Sequence, residues 1–453
     1  TFLAAILKFA LVASMLPSVM DGREISCTLF EVLPGLSLAF RVDAFGMLFA
    51  LVASFLWIIT SAYSIGYMRG LDEHAQTRYF CFFAVSLSAA VGVAFSANLL
   101  TLYLFYEMLS LATYPLVTHH QDEEARTSGR KYLLYTVGAS IGLVLPAMLM
   151  TYHLTGSLDF SSQGVLAGNA PRATVALLLF MFVFGFAKAA VMPLHSWLPA
   201  AMVAPTPVSA LLHAVAVVKV GVFSIFRTLS GIFGTELLAA MDLGVWVAAI
   251  ACVTILTGSL IALSQDNLKR RLAFSTIAQL SYIVLGVGLL SAKGLTGGMI
   301  HIAMHAFGKI TLFFCAGAIF VATGKKNISE MKGIGRQMPV TMGAFFIGAL
   351  SVIGLPPTGG FLSKWYLALG SLDAGLWPVL VVLLTSSLLN AFYFLPIVFR
   401  AFFNAAEPGH EPSGGLSEAP MWCVLPPAIA AAGSVALFFY PDIFINLARL
   451  ALG

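Results

Sequence analysis

Thirteen apolar segments follow one another along the chain, and this pattern constrains the fold more than any other feature. About 20 apolar residues cross a bilayer as one α-helix, and most of the segments reach that length. Hydrophobic residues occupy 59% of the 453 positions and charged residues 10%, whereas roughly a quarter of a soluble domain is charged. We therefore predict an all-α polytopic membrane protein of about thirteen transmembrane helices. The segments lie near residues 1–20, 43–67, 79–96, 98–118, 131–154, 173–192, 205–229, 243–264, 271–290, 297–322, 338–372, 377–402 and 421–445.

The sequence lacks the patterns that are typical of redox, metal and nucleotide sites. Its five cysteines are scattered singly, without the spacing of iron–sulfur, haem or zinc ligands. It has neither a Walker loop nor a dinucleotide fingerprint. We therefore expect no cofactor and no metal in this chain. The net charge of +4 reflects loop placement in a membrane protein and does not indicate a nucleic-acid partner. Because the chain begins at Thr1 inside an apolar stretch, we expect an incomplete or processed N-terminus.

Two of the apolar segments contain prolines that should break a helix. The first holds Pro193, His195 and Pro199, and the second holds Pro356 and Pro357. Broken helices are tolerated at membrane depth where they line a cavity, and in transporters they mark binding sites. The two breaks lie about 165 residues apart, a spacing that favours an internal repeat of about five spans. The alternative is that the prolines only kink two packed helices.

Basic loop residues divide unequally between the two sides of the membrane. If the spans alternate, thirteen lysines and arginines lie on one side and six, including Arg227, on the other. The positive-inside tendency makes the richer side cytoplasmic, in what we expect to be a bacterial cytoplasmic membrane. The loops assigned to that side lie near 69–78, 119–131, 265–271 and 323–337.

The five remaining basic residues lie within predicted spans, and all are lysines: Lys8, Lys188, Lys219, Lys309 and Lys364. A lysine removed from water can load and release a proton near neutrality, whereas arginine keeps its proton. A charge at mid-membrane costs roughly 2.5–3.5 kcal/mol, so four central lysines indicate a proton relay. We expect Lys8, near the chain end, to extend to the interface and to be structural.

Glu107 is the one acidic residue placed well inside a span. Its charge depends on whether a lysine such as Lys188 stands beside it, and this dependence could gate a relay. The alternative is a static buried ion pair that fixes helix packing.

Histidines add further titratable groups to the spans. His301, His305 and Lys309 follow at four-residue spacing, so one helix face would carry all three as a proton ladder rather than a metal site. His213 is either part of a path or a hydrogen-bonded core histidine, and His195 either orients the broken helix or contacts the path. We expect His119 and His120, beside an acidic loop, to be solvated.

Several motifs make the chain resemble the antiporter-like subunits of respiratory complex I, related membrane-bound hydrogenases and Mrp-type cation/proton antiporters. The resemblance covers about residues 40–400 and is carried by 106–108, 188–199, 204–213, 266–276, 301–309 and 354–364. It implies two inverted five-helix repeats, 79–229 and 243–402, each with a broken helix. N-terminal helices in 1–78 and a C-terminal helix in 403–453 would flank them, and the first helix of a fourteen-helix core would be missing.

The resemblance also assigns roles to the buried residues. Glu107 and Lys188 match the coupled pair of a first half-channel. Lys219 and His213 match alternative bridging positions, so the resemblance does not decide which of the two residues bridges the half-channels. In the second half-channel Lys309 matches the central lysine, His301 and His305 lead to it, and Lys364 matches the terminal residue.

The function implied is proton translocation in a redox-driven complex of the complex I or hydrogenase type. The alternatives are a sodium or potassium/proton antiporter subunit of the Mrp type, a proton-conducting subunit that energises another membrane protein, and a membrane scaffold. In each case the partners are other membrane subunits, lipid, and protons with sodium or potassium as further candidates. Iron–sulfur clusters, flavin or quinone would belong to partner subunits, so whether the assembly is an NADH:quinone oxidoreductase-like enzyme stays open.

Overall fold

The computed structural model of the protein describes residues 1–33, 35–404 and 416–453. The first part of the segment 403–453 therefore lies outside the described residues, apart from Phe403 and Asn404.

Helices dominate the described residues. They are α1 (Phe2–Met20), α2 (Ala44–Gly70), α3 (Gln76–Ala94), α4 (Leu99–Val117), α5 (Glu123–Ala139), α6 (Leu145–Thr155), α7 (Arg172–Gly185), α8 (Trp197–Ala200), α9 (Thr206–Ala210), α10 (Val217–Thr228), α11 (Thr235–Ala240), α12 (Leu243–Ser264), α13 (Leu268–Gly288), α14 (Ala292–Thr323), α15 (Ile334–Gln337), α16 (Pro339–Ile353), α17 (Gly359–Asp373), α18 (Trp377–Phe403), α19 (Met421–Phe439) and α20 (Asp442–Leu450). Single π turns at Ser140–Val144, Leu211–Val215 and Leu229–Phe233 join or extend some of these.

The predicted membrane spans correspond to helices. Within the described residues, eleven continuous helical stretches are long and apolar enough to cross a bilayer. The shorter apolar helices α7 and α16 begin the two segments that were predicted to break. The predicted polytopic helical fold is therefore confirmed.

One element differs from the all-α prediction. Strands β1 (Ile25–Leu33) and β2 (Leu36–Val42) form an antiparallel hairpin between α1 and α2. Its second strand also bonds the end of α3, where the Arg41 backbone N–H donates to the Phe95 carbonyl at 2.7 Å. The stretch is rich in β-branched and aromatic residues, and the short connection around Gly35 allows it to pair with itself.

Both predicted breaks are present. Helix α7 ends at Gly185 and gives way to a short 3₁₀ turn, Ala187–Ala189, and an irregular stretch that precedes α8. Helix α16 ends where Gly354 adopts φ +87°, and α17 begins five residues later. Each break contains a cis X–Pro bond, at Pro193 and Pro357.

The broken helix is the fourth of five spanning elements in 79–229 and again in 243–402. Five crossings leave the chain on the side of the membrane opposite to the one where it started. The first helix of the second set therefore crosses in the opposite direction to the first helix of the first set, as inverted repeats require. The exact repeat boundaries stay a prediction.

Helix α14 forms the centre of the second set and is buried along most of its 32 residues. It packs against α13, α16, α17 and α19, among others. Small residues permit close approach, since a Cβ on Gly286 would lie 2.6 Å from the Gly298 Cα. Peripheral helices are less covered: only 17% of the apolar window in α1 and 33% of that in α18 is buried.

Candidate functional site

Four buried lysines lie in the interior of the bundle. Lys188, Lys219 and Lys309 are at most 1% exposed, and Lys364 is 8% exposed. Each makes a hydrogen bond to a carbonyl, a hydroxyl or an imidazole. These partners offset part of the cost of placing an ammonium group away from water.

Lys188 lies in the 3₁₀ turn of the first break and contacts Tyr106. Its Nζ donates to the Tyr106 carbonyl and lies 3.2 Å from the centroid of the Tyr106 ring. Its backbone N–H donates to the Tyr106 hydroxyl at 3.2 Å. Trp197 covers the same turn by donating its ring N–H to the Ala187 carbonyl at 3.0 Å. Tyr106 therefore holds both ends of Lys188 and is a site residue that the sequence analysis did not name.

Glu107 follows Tyr106 on α4, so the structure brings it next to the Lys188 site. Among the described residues no ion pair within 4.0 Å joins the two side chains. Glu107 instead accepts a hydrogen bond of 2.6 Å from the Ser140 hydroxyl, which lies in a π turn. Glu107 is only partly buried, and Met108 beside it is exposed. The carboxylate therefore lies close to the lateral surface of the bundle.

The first break packs closely on α10, the helix that carries Lys219. A Cβ on Gly221 would lie 2.1 Å from the Ala189 backbone nitrogen. The backbone of the break can approach α10 this closely only because Gly221 has no side chain. Lys188 and Lys219 therefore lie on two directly packed elements.

Lys219 is bonded to the second half of the chain. Its Nζ lies 2.7 Å from Nδ1 of His305 on α14. The rings of His305 and His301 follow at a centroid distance of 5.5 Å. Nδ1 of His301 is 2.8 Å from the hydroxyl of Ser363, the residue before Lys364. These contacts form one branch, which runs from Lys219 to Ser363.

Lys309 belongs to a separate branch. Its Nζ donates to the Ser275 hydroxyl at 2.7 Å and to the Leu272 carbonyl at 3.3 Å. The Tyr393 hydroxyl also lies 2.9 Å from Ser275 and bonds to the Asn390 side chain. The expected ladder therefore divides on α14, because His305 contacts Lys219 while Lys309 bonds to α13.

Both branches end beside Lys364. Its Nζ donates to the Val352 and Ile353 carbonyls, both at 2.9 Å, and to the Ser387 hydroxyl at 3.1 Å. The two carbonyls are freed where α16 ends, so the second break supplies them. The Asn390 amide reaches the same Val352 carbonyl at 3.5 Å. Lys364 thus shares the Val352 carbonyl with the end of the Lys309 branch, and it follows Ser363, where the Lys219 branch ends, in the sequence.

His213 lies apart from both branches. It is fully buried in the π turn Leu211–Val215 and packs on Phe313 at a centroid distance of 4.8 Å. Neither ring nitrogen has a hydrogen-bond partner within the described part of the chain. Its assignment to the relay stays a prediction.

A cavity of about 830 Å³ opens at one end of the bundle. All four loops that are rich in basic residues contribute to its lining, together with His195 and Pro199 of the first break. His195 places Nδ1 3.2 Å from the Pro193 carbonyl. The first break therefore borders a cavity at the end of the bundle that carries the basic loops.

The rim of this cavity holds a cluster of one carboxylate and three imidazoles, and it corrects the expectation that His119 is solvated. His119 is fully buried, whereas the side chain of His120 is 34% exposed. The His119 ring beside Glu73 holds the pKa of that carboxyl below its usual range, although partial burial opposes the shift. Burial lowers the pKa of His120, while Glu73 opposes that change.

Arg227 was wrongly assigned to a loop. It lies in α10 with its side chain 10% exposed, and its two terminal nitrogens donate to the Asp43 carboxylate at 2.6 and 2.7 Å. Asp43 also caps α2 by accepting from the Gly46 N–H at 2.8 Å. Because the counter-ion stands at a helix terminus remote in sequence, hydropathy could not reveal this bidentate pair.

Sequence reasoning also missed the uncharged members of the branches: Ser275, Ser363, Ser387, Asn390 and Tyr393. A polar side chain inside an apolar span is a signal for a buried contact, and a search for such positions would have found them.

The family model described as "NADH:quinone oxidoreductase/Mrp antiporter, TM" matches residues 96–390. NADH-quinone oxidoreductase subunit N of Desulforudis audaxviator is 36% identical over 90% of this chain and 83% of its own length. Na(+)/H(+) antiporter subunit A1 of Staphylococcus aureus is 30% identical over 97% of this chain, which spans 57% of that subunit.

Solved structures have the same fold. A chain of the Mrp complex from Dietzia sp. superposes with a TM-score of 0.86 at 22% identity, over 100% of this chain and 91% of that one. A chain of the membrane-bound sulfane sulfur reductase, an archaeal respiratory membrane complex, gives 0.88 at 24% identity, over 99% and 90%.

Proposed function

The chain belongs to the NADH:quinone oxidoreductase/Mrp antiporter family, and from this we propose that it is a proton-translocating subunit of a redox-driven membrane complex. Protons would move through its buried lysines and histidines, and electron transfer would take place in partner subunits. Iron–sulfur, flavin or quinone groups would belong to those partners.

The observation that carries the proposal is that two branches of buried polar contacts both end beside Lys364. One contains Lys219, His305 and His301, and the other contains Lys309. Lysine and imidazole can each accept and release a proton, and serine and tyrosine hydroxyls can pass one on. A scaffold has no need of four buried ammonium groups whose insertion is costly.

The cavity among the basic loops is the proposed side of proton uptake. It contacts the first break through His195, and that break continues to Lys188. The excess of lysine and arginine in these loops supports a cytoplasmic location in a bacterial membrane. Protons would then leave from the region of Lys364 toward the opposite side.

Partner subunits are proposed to cover the lateral surface near Glu107. That carboxylate is partly buried on a helix whose outward residues Leu104, Met108 and Leu111 are exposed. A neighbouring subunit that brings a charge to this surface would change the electrostatic potential at Glu107 and at the nearby Lys188. Such coupling is how a redox event elsewhere could drive the relay.

The second candidate is an Mrp-type subunit that exchanges sodium or potassium for protons. The match to the staphylococcal antiporter subunit over 97% of this chain favours it. The same relay would serve, but a cation gradient rather than electron transfer would drive it.

The test is reconstitution of the natively assembled complex into liposomes that hold a pH-sensitive dye. We expect a pH change when an electron donor and quinone are added, without sodium or potassium. A response that needs a sodium or potassium gradient and no reductant would favour antiport instead. A complex that moves no protons under either condition would contradict both candidates.

A further inference from the structure

The cluster at the cavity rim has the composition of a transition-metal site. The Glu73 Oε2 atom lies 3.5 Å from Nε2 of His119, 3.7 Å from Nδ1 of His120 and 3.9 Å from Nδ1 of His74. Ligand atoms of Glu73, His74 and His119 all lie within 4.8 Å of one another. Three ring nitrogens therefore surround one carboxylate oxygen.

Hydrogen bonding has already oriented one of the rings. Nε2 of His74 donates to the His119 carbonyl at 3.1 Å, so in the neutral ring Nδ1 carries the lone pair. That lone pair faces the Glu73 carboxylate. Two acceptors that face one another repel unless a proton or a metal cation lies between them. Histidines that bind metals usually donate their second ring N–H to a backbone carbonyl in this way.

His119 provides the second, independent observation. Its side chain is fully buried, and neither ring nitrogen makes a hydrogen bond within the described ranges. Burying an imidazole without a well-formed hydrogen bond is costly, and a metal ion between Nε2 and the Glu73 carboxylate, which lie 3.5 Å apart, would satisfy both groups. Nε2 is also the ring atom directed at Glu73.

We propose that Glu73, His74, His119 and His120 bind one divalent transition-metal ion, such as Zn²⁺. Zn²⁺ lies about 2.0–2.2 Å from imidazole nitrogens and carboxylate oxygens, so its ligand atoms lie roughly 3.3–3.5 Å apart. The distances from Glu73 to the three rings, 3.5 to 3.9 Å, need to shorten by about 0.6 Å at most, and ligand atoms as far apart as 4.8 Å by up to about 1.5 Å. Imidazole with a single carboxylate suits zinc, copper or nickel, whereas calcium and magnesium prefer oxygen ligands.

The position of the proposed site indicates how a bound ion would affect proton uptake. The site joins the loop between α2 and α3 to the loop between α4 and α5, and both Glu73 and His120 line the cavity. Resting on the proposed function, a bound ion would add positive charge where protons are taken up and would slow that uptake.

Metal binding can be tested without any transport assay. The full chain, purified with an affinity tag free of histidine and stripped by a chelator, is titrated with Zn²⁺ against a chromophoric competitor. X-ray absorption then identifies the ligands. We expect one Zn²⁺ per chain, bound by at least two imidazoles and oxygen. His74→Ala and Glu73→Gln should each weaken binding by about tenfold or more.

His195→Ala is the matched control, because His195 lines the same cavity outside the cluster. It should leave zinc affinity unchanged. The His74 side chain is 54% exposed, so His74→Ala should fold, and thermal unfolding of the metal-free proteins checks this. Absence of stoichiometric binding, or equal binding by wild type and both cluster variants, would overturn the site. Because this assay measures no proton movement, a failure of the proposed function would leave its result unaffected.

Discussion

The Lys219 ammonium lies 2.7 Å from Nδ1 of His305, so one hydrogen bond joins the first set of five spans to the second. The two residues are 86 positions apart in sequence. Of the two candidate bridging residues, Lys219 makes this contact, whereas neither ring nitrogen of His213 makes a hydrogen bond among the described residues. The bridging role of Lys219 stays a prediction.

Removing the Lys219 amine should separate the two halves of the relay. We expect Lys219→Ala to lower proton translocation by about tenfold or more, because His305 loses its proton-exchanging partner. Dye-monitored proton uptake by the reconstituted complex measures this. Lys8→Ala is the control, since Lys8 bonds to the Leu87 carbonyl outside both branches. Equal activity in wild type and Lys219→Ala would show that the bridge is dispensable.

Lys188→Ala should abolish pumping while the protein stays inserted and assembled. The substitution removes a relay station, and its partner, the Tyr106 carbonyl, belongs to a helix that is otherwise intact. Native gel electrophoresis checks assembly, and proton uptake is measured on the same vesicles. Lys293→Ala, which removes only a surface ion pair with Asp373, should keep full activity. Retained pumping in Lys188→Ala would refute its assignment to the relay.

Tyr393→Phe removes the hydroxyl that joins Ser275 to Asn390. We expect slower proton transfer through the Lys309 branch and a stability loss of about 1 kcal/mol, the net value of a typical hydrogen bond. Tyr63→Phe is the matched control, because its buried hydroxyl donates to the Phe314 carbonyl at 2.9 Å, outside both branches. Similar transport rates in the two variants would mean that the Tyr393 hydroxyl serves stability alone.

Gly221→Ala tests the packing of the first break against α10. The added Cβ would meet the backbone at Ala189 and Lys188, at 2.1 and 2.3 Å, so helix and break must separate. Overpacking of this kind typically costs about 1–3 kcal/mol. Thermal unfolding in detergent should show a lower midpoint than for Gly343→Ala, whose Cβ meets nothing within 4 Å. An unchanged midpoint would mean that the helix and the break can separate without a loss of stability.

The sequence predicted the spans, both breaks and the burial of the four central lysines, because hydropathy and proline are local signals. It could not predict which side chains these lysines contact. Lys309 was expected to follow His305 in a ladder, but Ser275 on α13 offers a hydroxyl at 2.7 Å. Such choices depend on how helices pack, which helical periodicity does not specify.

Loops were predicted less well than spans. His119 was expected to be solvated because acidic residues follow it, yet it lies beneath Glu73 and His74 and is fully buried. The hairpin Ile25–Val42 and the Asp43–Arg227 pair also depend on tertiary contacts. In each case the interacting residue is distant in sequence or is brought close by a turn, so hydropathy does not reveal the contact.

The central claim is that the buried lysines carry protons rather than supply fixed charge, and Lys309→Arg tests it most directly. Arginine keeps the positive charge but cannot release its proton. Proton uptake by vesicles containing the assembled Lys309→Arg complex should fall to background, while native gels show normal assembly. Pumping at the wild-type rate would contradict the account, because a fixed charge at this position would then be sufficient.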